Sequence, residues 1–201
     1  MPPAGLHVVG VLALQGGVAE HLRALEQAGA RPLAVRSPAA LDEVAGLIIP
    51  GGESTTIWKL SKTFGLAGPL RQRVAAGMPV FGSCAGMVML AGQLADPASG
   101  QETLGAIDMT VRRNAFGRQV DSFETDLSIT GLDGGSYRGV FIRAPWAESV
   151  GEDAEVLAVE PRTGRVVAVR QGPALATAFH PELTGDRRIH ELFVSMVGQE
   201  S

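Results

Sequence analysis

The chain of 201 residues predicts an α/β fold: a doubly wound, mostly parallel sheet with helices on both faces and added antiparallel strands in its second half. Two observations carry this. Over residues 7–91, short apolar runs alternate with helical patterns through brief connections, and strand–helix–strand units joined that way make parallel neighbours. From residue 103 onward, strand-like runs follow one another with turn residues between them.

Residues 7–14 (HVVGVLAL) form a nearly unbroken apolar run, as a strand covered on both faces requires. After Gln15-Gly16-Gly17, Val18, Leu22 and Leu25 recur at helical spacing, and Gly29 supplies the stop. Residues 32–36 read as a second strand, 38–45 as a short helix and 46–50 as a third strand. Residues 54–65 are another helix, with Ser54 as its cap. A fourth strand covers 78–82, and the next helix 85–91. In the second half, 103–113, 138–145, 154–160, 164–172 and 174–183 read as strands, with a hairpin turn over 160–165. An amphipathic helix over 186–198 closes the chain, while 93–137 is the least regular stretch. No repeat, low-complexity tract or linker interrupts the sequence, so residues 1–201 read as one domain.

Composition narrows the function. Hydrophobic residues make up 45% and charged residues 19%, which places the chain among globular proteins. Its net charge is −4 and its 17 basic residues are scattered, which argues against a nucleic-acid partner. A single cysteine excludes an internal disulfide and fits a reducing compartment. The first residues lack the basic lead of a secretory signal, and no run approaches the roughly 20 apolar residues that span a bilayer. The expectation is a cytoplasmic protein with no membrane contact.

Ligands of doubly wound sheets gather beyond the carboxyl ends of the strands. Three features fall there: Gln15-Gly16-Gly17, Pro50-Gly51-Gly52-Glu53-Ser54 and Ser83-Cys84-Ala85. Gly82-x-Cys84-x-Gly86, between a strand and a helix, has the form of a nucleophile elbow. The helix that follows directs its amino terminus at the sulfur and favours negative charge there. The Ala85 N–H then faces an oxyanion formed on an attacked carbonyl. Free cysteine is also among the most buried residue types, so the pattern alone leaves packing and chemistry both open.

A thiol nucleophile needs a base, and the base an orienting group. His7 begins a strand, and His21 and His190 lie in helices with ordinary surface or packing explanations. His180 instead ends an apolar run, and Glu182 follows on the same side if the backbone stays extended. The acid after the histidine is not the nucleophile–acid–histidine order of α/β-hydrolases. An amide of Gly51 or Gly52 is the second candidate oxyanion donor. The rival reading of that turn, phosphate binding, lacks the Lys-Ser/Thr ending of a P-loop.

The blocks VLALQGGVAEH, LIIPGGESTT, PVFGSCAGMVMLA, RNAFGRQVDSFE, FIRAP and ATAFHPELTGD occur in this order along nearly the whole chain. Together they resemble the class I glutamine amidotransferases, the Cys-His-Glu glutaminases. GGEST, RNAFGRQ and FIRAP narrow the resemblance to the glutaminase subunits of pyridoxal 5′-phosphate synthase. The resemblance implies a flavodoxin-like class I amidotransferase fold and hydrolysis of L-glutamine to L-glutamate and ammonia through a γ-glutamyl thioester. It makes Cys84 the nucleophile, His180 the general base and acid, and Glu182 the orienter. Gly52, Glu53, Ser54, Arg113, Ile142 and Arg143 would line the glutamine pocket, with Ala85 and the Gly51–Gly52 turn as oxyanion hole. Taken alone, Arg113 and Arg143 read as solvated surface or structural ion pairs.

Neither metal nor organic cofactor is implied. The implied partner is a (β/α)8-barrel synthase subunit, in a dodecameric core carrying up to twelve glutaminases, that joins ammonia to sugar phosphates. Ser83 departs from the threonine more usual in the family, yet keeps the hydroxyl. Three rival readings stand beside this one. The first is a class I glutaminase for another acceptor, such as imidazole glycerol phosphate synthase. The second is a redox-sensing or chaperone-like protein using an elbow cysteine, and the third a silent binding module.

Overall fold

The computed structural model describes residues 6–114 and 122–199. The first half is built from β1 (Val8–Leu12), α1 (Val18–Gln27), β2 (Arg31–Val35), α2 (Pro38–Asp42), β3 (Gly46–Ile49), α3 (Ser54–Thr63), α4 (Ala67–Ala75), β4 (Val80–Ser83) and α5 (Ala85–Leu90). The second half follows with β5 (Ala91–Leu94), β6 (Ile107–Arg112), β7 (Ser122–Leu127), β8 (Tyr137–Ile142), β9 (Trp146–Val150), β10 (Glu155–Val159), β11 (Val166–Gln171), β12 (Ala174–Thr177), a 3-10 turn (Pro181–Leu183) and α6 (Arg188–Gly198).

The main sheet runs β2-β1-β3-β4-β12-β11-β9-β6-β5, with β10 paired to β11 beside that path. β2, β1, β3, β4 and β12 are parallel, β12 returning beside β4 so that Thr177 pairs with Ser83. Antiparallel pairing begins at β11, which pairs β12, β10 and β9, and β9 continues antiparallel to β6. β5 and β6 pair parallel at the far edge. β7 and β8 form a separate two-stranded antiparallel ribbon.

The residue patterns explain the layering. β3, β4 and β12 are buried at every position, as strands covered on both faces must be, whereas β6 and β8 alternate. Phe81, Phe179, Phe193, Leu47 and Ile48 are among the fully buried side chains of the core. Each such burial contributes roughly 1.5–3 kcal/mol against the ordering entropy of the chain. Ser37 caps α2 by accepting the Ala40 N–H at 3.2 Å, with Pro38 at the first helical position.

The structure differs from the sequence expectation at definable places. α4 was not anticipated: Gly68 and Pro69 interrupt its pattern and Leu70 is the one residue it buries. β5, β7 and β9 are largely unburied, so they carry no strong apolar signature. The run over 174–183 is not one strand. β12 stops at Thr177, and Pro181, which has no N–H to give a ladder, starts the 3-10 turn. Ser54 is not a cap: Glu53 holds that position, and the Ser54 hydroxyl accepts from Gln101 Nε2 at 3.0 Å.

Candidate active site

β4 ends at Ser83, and Cys84 turns the chain into α5 with φ 50° and ψ −103°. Such a conformation costs a non-glycine residue about 1–3 kcal/mol. The surroundings impose it. The Cys84 N–H donates to the Thr177 carbonyl at 2.8 Å, and the Cys84 carbonyl accepts from Val88 at 3.4 Å. Neighbouring backbone passes where side chains would stand: a Cβ on Gly82 would lie 2.4 Å from the Gly86 carbonyl carbon, and one on Gly86 2.2 Å from the Ile49 oxygen. Only glycine fits at both. The elbow inferred from Gly82-x-Cys84-x-Gly86 is present.

His180 arrives from the neighbouring strand. Its N–H donates to the Val140 carbonyl of β8 at 2.9 Å, and the Cys84 sulfur approaches the Ile142 carbonyl of the same strand at 3.8 Å. His180 Nδ1 lies 2.7 Å from Glu182 Oε1. The pairing was expected from extended backbone, but it is made by the 3-10 turn, which swings Glu182 back under the ring. Burial opposes a charge on His180, yet the Cys84 sulfur and the Glu182 carboxylate outweigh it and push its pKa up to about 10. For Glu182, burial works against ionisation, while the His180 hydrogen bond and the His180 charge hold the carboxyl below the usual range. The site therefore holds an imidazolium between a sulfur and a carboxylate at neutral pH.

Gly51 packs against this pair: a Cβ there would sit 2.4 Å from His180 Cε1 and 3.4 Å from the Cys84 Cβ. The Gly51 carbonyl accepts the Gly17 N–H at 3.2 Å, and the Glu53 N–H donates to Gln15 Oε1 at 2.8 Å. Two bonds thus tie the 51–53 turn to the loop after β1. Ala85 is the first residue of α5, where a helix leaves amides without an intrahelical acceptor.

Gly52, Glu53, Ser54, Arg113 and Arg143 line one pocket with Cys84 and Ala85. An adjoining pocket adds Ile142, His180 and Gln15. Every predicted pocket residue therefore borders the cysteine, and Glu182 stands behind His180. Part of the Arg113 guanidinium is committed to the Asp96 carbonyl, which accepts from Nε at 3.3 Å and Nη2 at 3.0 Å. Residues 115–119 of the RNAFGRQ block lie outside the described residues. Among the described residues, the non-glycine positions with positive φ are Cys84, Asn114 and Arg143, and all three line the first pocket. Strained backbone collects where side chains must be aimed.

Four contributors escaped the sequence reading. Asn114 carries no motif signal of its own beyond the block that contains it. Gln15 stood out only by its place at a strand end. His21 and His190, expected to be ordinary helix residues, are fully buried, with His21 Nδ1 3.0 Å from His190 Nε2. His21 Nε2 in turn stands 3.0 Å from Ser83 Oγ and 3.3 Å from Glu182 Oε2. The α1 pattern gives no hint of this, because Val18, Leu22 and Leu25 carry the periodicity.

Residues 11–199 match the SNO glutamine amidotransferase family. A pyridoxal 5′-phosphate synthase subunit PdxT of Acidothermus cellulolyticus is 63% identical over 99% of this chain and 98% of its own length. A protein of the same name from Streptomyces avermitilis is 64% identical over 94% of both chains. A crystal structure of a glutamine amidotransferase superposes with a TM-score of 0.87 at 48% identity, covering 94% of this chain and 98% of the other. The PurLQS structure from Thermotoga maritima, at 18% identity and a TM-score of 0.67, covers 98% of this chain and all of its own, and shares the fold. The chain belongs to the SNO glutamine amidotransferase family, and its mostly parallel sheet with appended antiparallel strands is that family's fold.

Proposed function

We infer that this chain is the glutaminase subunit of a pyridoxal 5′-phosphate synthase, one amidotransferase domain that hydrolyses L-glutamine and passes on ammonia. The observation that carries the reading is that Cys84 and His180, from two adjoining strand ends, line one pocket, with Glu182 of the 3-10 turn paired to His180 behind it.

The chemistry follows from the geometry. Cys84 thiolate attacks the side-chain amide carbon of glutamine, and the carbonyl oxygen takes the negative charge. The Ala85 N–H and an amide of the Gly51–Gly52 turn hold that oxyanion. His180, already protonated beside the sulfur, gives its proton to the departing nitrogen, and ammonia leaves a γ-glutamyl thioester on Cys84. Neutral His180 then takes a proton from water, which attacks the thioester. Glutamate leaves, and thiolate and imidazolium are restored. Glu182 keeps the ring aligned and stabilises its charge. The guanidinium of Arg113 or Arg143 suits the substrate α-carboxylate and Glu53 the α-amine, with Gly52, Ser54 and Ile142 shaping the pocket.

Ammonia released into water is protonated to ammonium, which is no nucleophile, so a glutaminase of this kind works against an acceptor enzyme. The names of the relatives point to the synthase subunit, here read as a (β/α)8 barrel in a dodecameric core. Among the described residues no helix is long and apolar enough to cross a membrane, and the reading is of a cytoplasmic complex.

The test is glutamate release from glutamine by the full chain and two variants. Cys84→Ala is expected to abolish release while the circular dichroism spectrum is unchanged. Glu182→Gln should retain a slowed reaction, lower by about 10²–10⁴-fold, as for loss of an orienting carboxylate. Full activity of Cys84→Ala would overturn the mechanism.

A further inference from the structure

Behind the triad lies a line of buried groups that the mechanism above does not use. His190 Nε2 meets His21 Nδ1 at 3.0 Å, and His21 Nε2 meets Ser83 Oγ at 3.0 Å and Glu182 Oε2 at 3.3 Å. Both histidines and Ser83 are completely buried. Glu182 Oε2 is buried too and makes no well-aligned hydrogen bond among the described residues, and the same holds for His190 Nδ1.

The protons on this line can be assigned by elimination. If His190 carried its proton on Nδ1, a buried N–H would be orphaned, and its bare Nε2 would have to accept from His21 Nδ1. Neutral His21 would then turn a bare Nε2 lone pair toward the Glu182 carboxylate at 3.3 Å. Both features are unfavourable. With the proton on His190 Nε2, that nitrogen donates to His21 Nδ1, and the unpartnered His190 Nδ1 is merely an unused lone pair. His21 then carries its proton on Nε2, where it donates to Ser83 Oγ and flanks Glu182 Oε2. Burial keeps His21 neutral against the pull of Glu182, so it offers this one donor rather than a cation.

We propose that His21 is a positioning residue of the active site: fixed in one tautomer by His190, it holds the Ser83 hydroxyl beside Cys84 and the second oxygen of Glu182 behind His180. One imidazole thereby braces both ends of the catalytic line. Ser83 immediately precedes the nucleophile, and the Glu182 carboxylate is bonded at Oε1 to His180 and faced at Oε2 by His21. The Ser83 side chain is thus bound through its hydroxyl.

The inference rests on the glutaminase reading, and its test separates the two. Cys84 is the only cysteine, so one equivalent of iodoacetamide counts the intact sites, and the rate of that alkylation reads the sulfur–imidazole pair without glutamine. The full chain is compared with His21→Leu, which removes the donor, and His21→Gln, whose amide N–H reaches the Nε2 position. All are assayed with equal added synthase subunit. His21→Leu is expected to lower kcat per alkylatable site by about tenfold or more, with KM within about twofold, the loss of the buried hydrogen bond to Ser83 and of the contact that flanks Glu182. Cys84 alkylation should slow in parallel. His21→Gln should stay within about threefold of the parent on both readouts, since the donor is kept. Should His21→Leu fail to fold, His21→Asn, whose shorter amide serves only the Nδ1 side, replaces it with the same expectation. Parental kcat per site and alkylation rate in His21→Leu would overturn the proposal. So would a loss in His21→Gln as deep as in His21→Leu. A parent chain that alkylates at Cys84 but releases no glutamate would instead overturn the glutaminase reading, and the alkylation rates alone would then judge His21.

Discussion

Cys84, Asn114 and Arg143 hold backbone angles that side chains rarely adopt, and they surround one pocket. Each strain is small beside the core, yet a fold keeps such residues only where the surroundings over-determine them. The buried histidines are the second residue-scale expense. Burial holds the His190 pKa down to about 3, and the neighbouring His21 acts in the same direction. An unfolded histidine titrates near 6.5, so the unfolded chain binds a proton that the fold refuses between about pH 6.5 and 3. Stability from this residue is complete above pH 6.5 and falls as the solution is acidified. His190→Leu is expected to flatten that slope, removing on the order of 1–4 kcal/mol of acid sensitivity. Urea midpoints at pH 5 and 7.5 would check it, and an unchanged slope would mean His190 is protonated in the fold. Cys84, His180 and Glu182 were legible in the sequence because their chemistry has a spacing. His21 and His190 were not, because they meet across 169 positions of chain and each sits in a helix whose apolar residues explain it fully.

At the scale of elements, the site is a meeting of strand ends, and glycine decides how closely they meet. Gly51 lies against both His180 and Cys84, where an added Cβ would come within 2.4 Å of the imidazole. Gly51→Ala is therefore expected to push the ring off the sulfur, costing about 1–3 kcal/mol of stability and glutaminase activity by about 10²-fold or more. Glutamate release and a urea melt on the same preparation would separate the two effects; retained activity would show that the 51–53 turn moves aside freely. The elements themselves were legible where burial is complete. β3, β4 and β12 announce themselves as apolar runs, and α1 by its spacing. β7 and β9 expose much of their length and draw their order from pairing partners, so no local pattern marks them. The route by which Glu182 reaches His180 was misjudged for a related reason. Pro181 allows either extended chain or a first helical turn, and tertiary packing selects the turn.

For the whole molecule, the parallel strands supply the elbow and the 51–53 turn, and His180 and Glu182 follow β12, where the parallel and antiparallel strands meet, while Arg143 follows β8 of the antiparallel ribbon. The doubly wound class could be read from strand–helix alternation, but the order of strands beyond β12 depends on pairings hundreds of ångströms of extended chain could satisfy in several ways. A partner that adjusts the 51–53 turn would act on the proposed oxyanion hole directly, since the Gly51 carbonyl and Glu53 amide are tied to the β1–α1 loop. Added synthase subunit is accordingly expected to raise kcat for glutamine by about 10²-fold or more, the value of one aligned oxyanion donor. Equal turnover with and without it would mean that the hole is complete in the isolated chain.

The amides of the two residues proposed as the reacting pair are bonded to different sheets. The Cys84 amide is donated to Thr177 of the main sheet, and the His180 amide to Val140 of the β7–β8 ribbon. The ribbon shares no strand pairing with the main sheet, so its bond to the His180 amide can open while that sheet stays paired. Deuterium exchange at these two amides is thus a pair of clocks running in one active site. Where the His180 clock runs faster, its bond to the ribbon opens more readily than the bond of Cys84 to the main sheet.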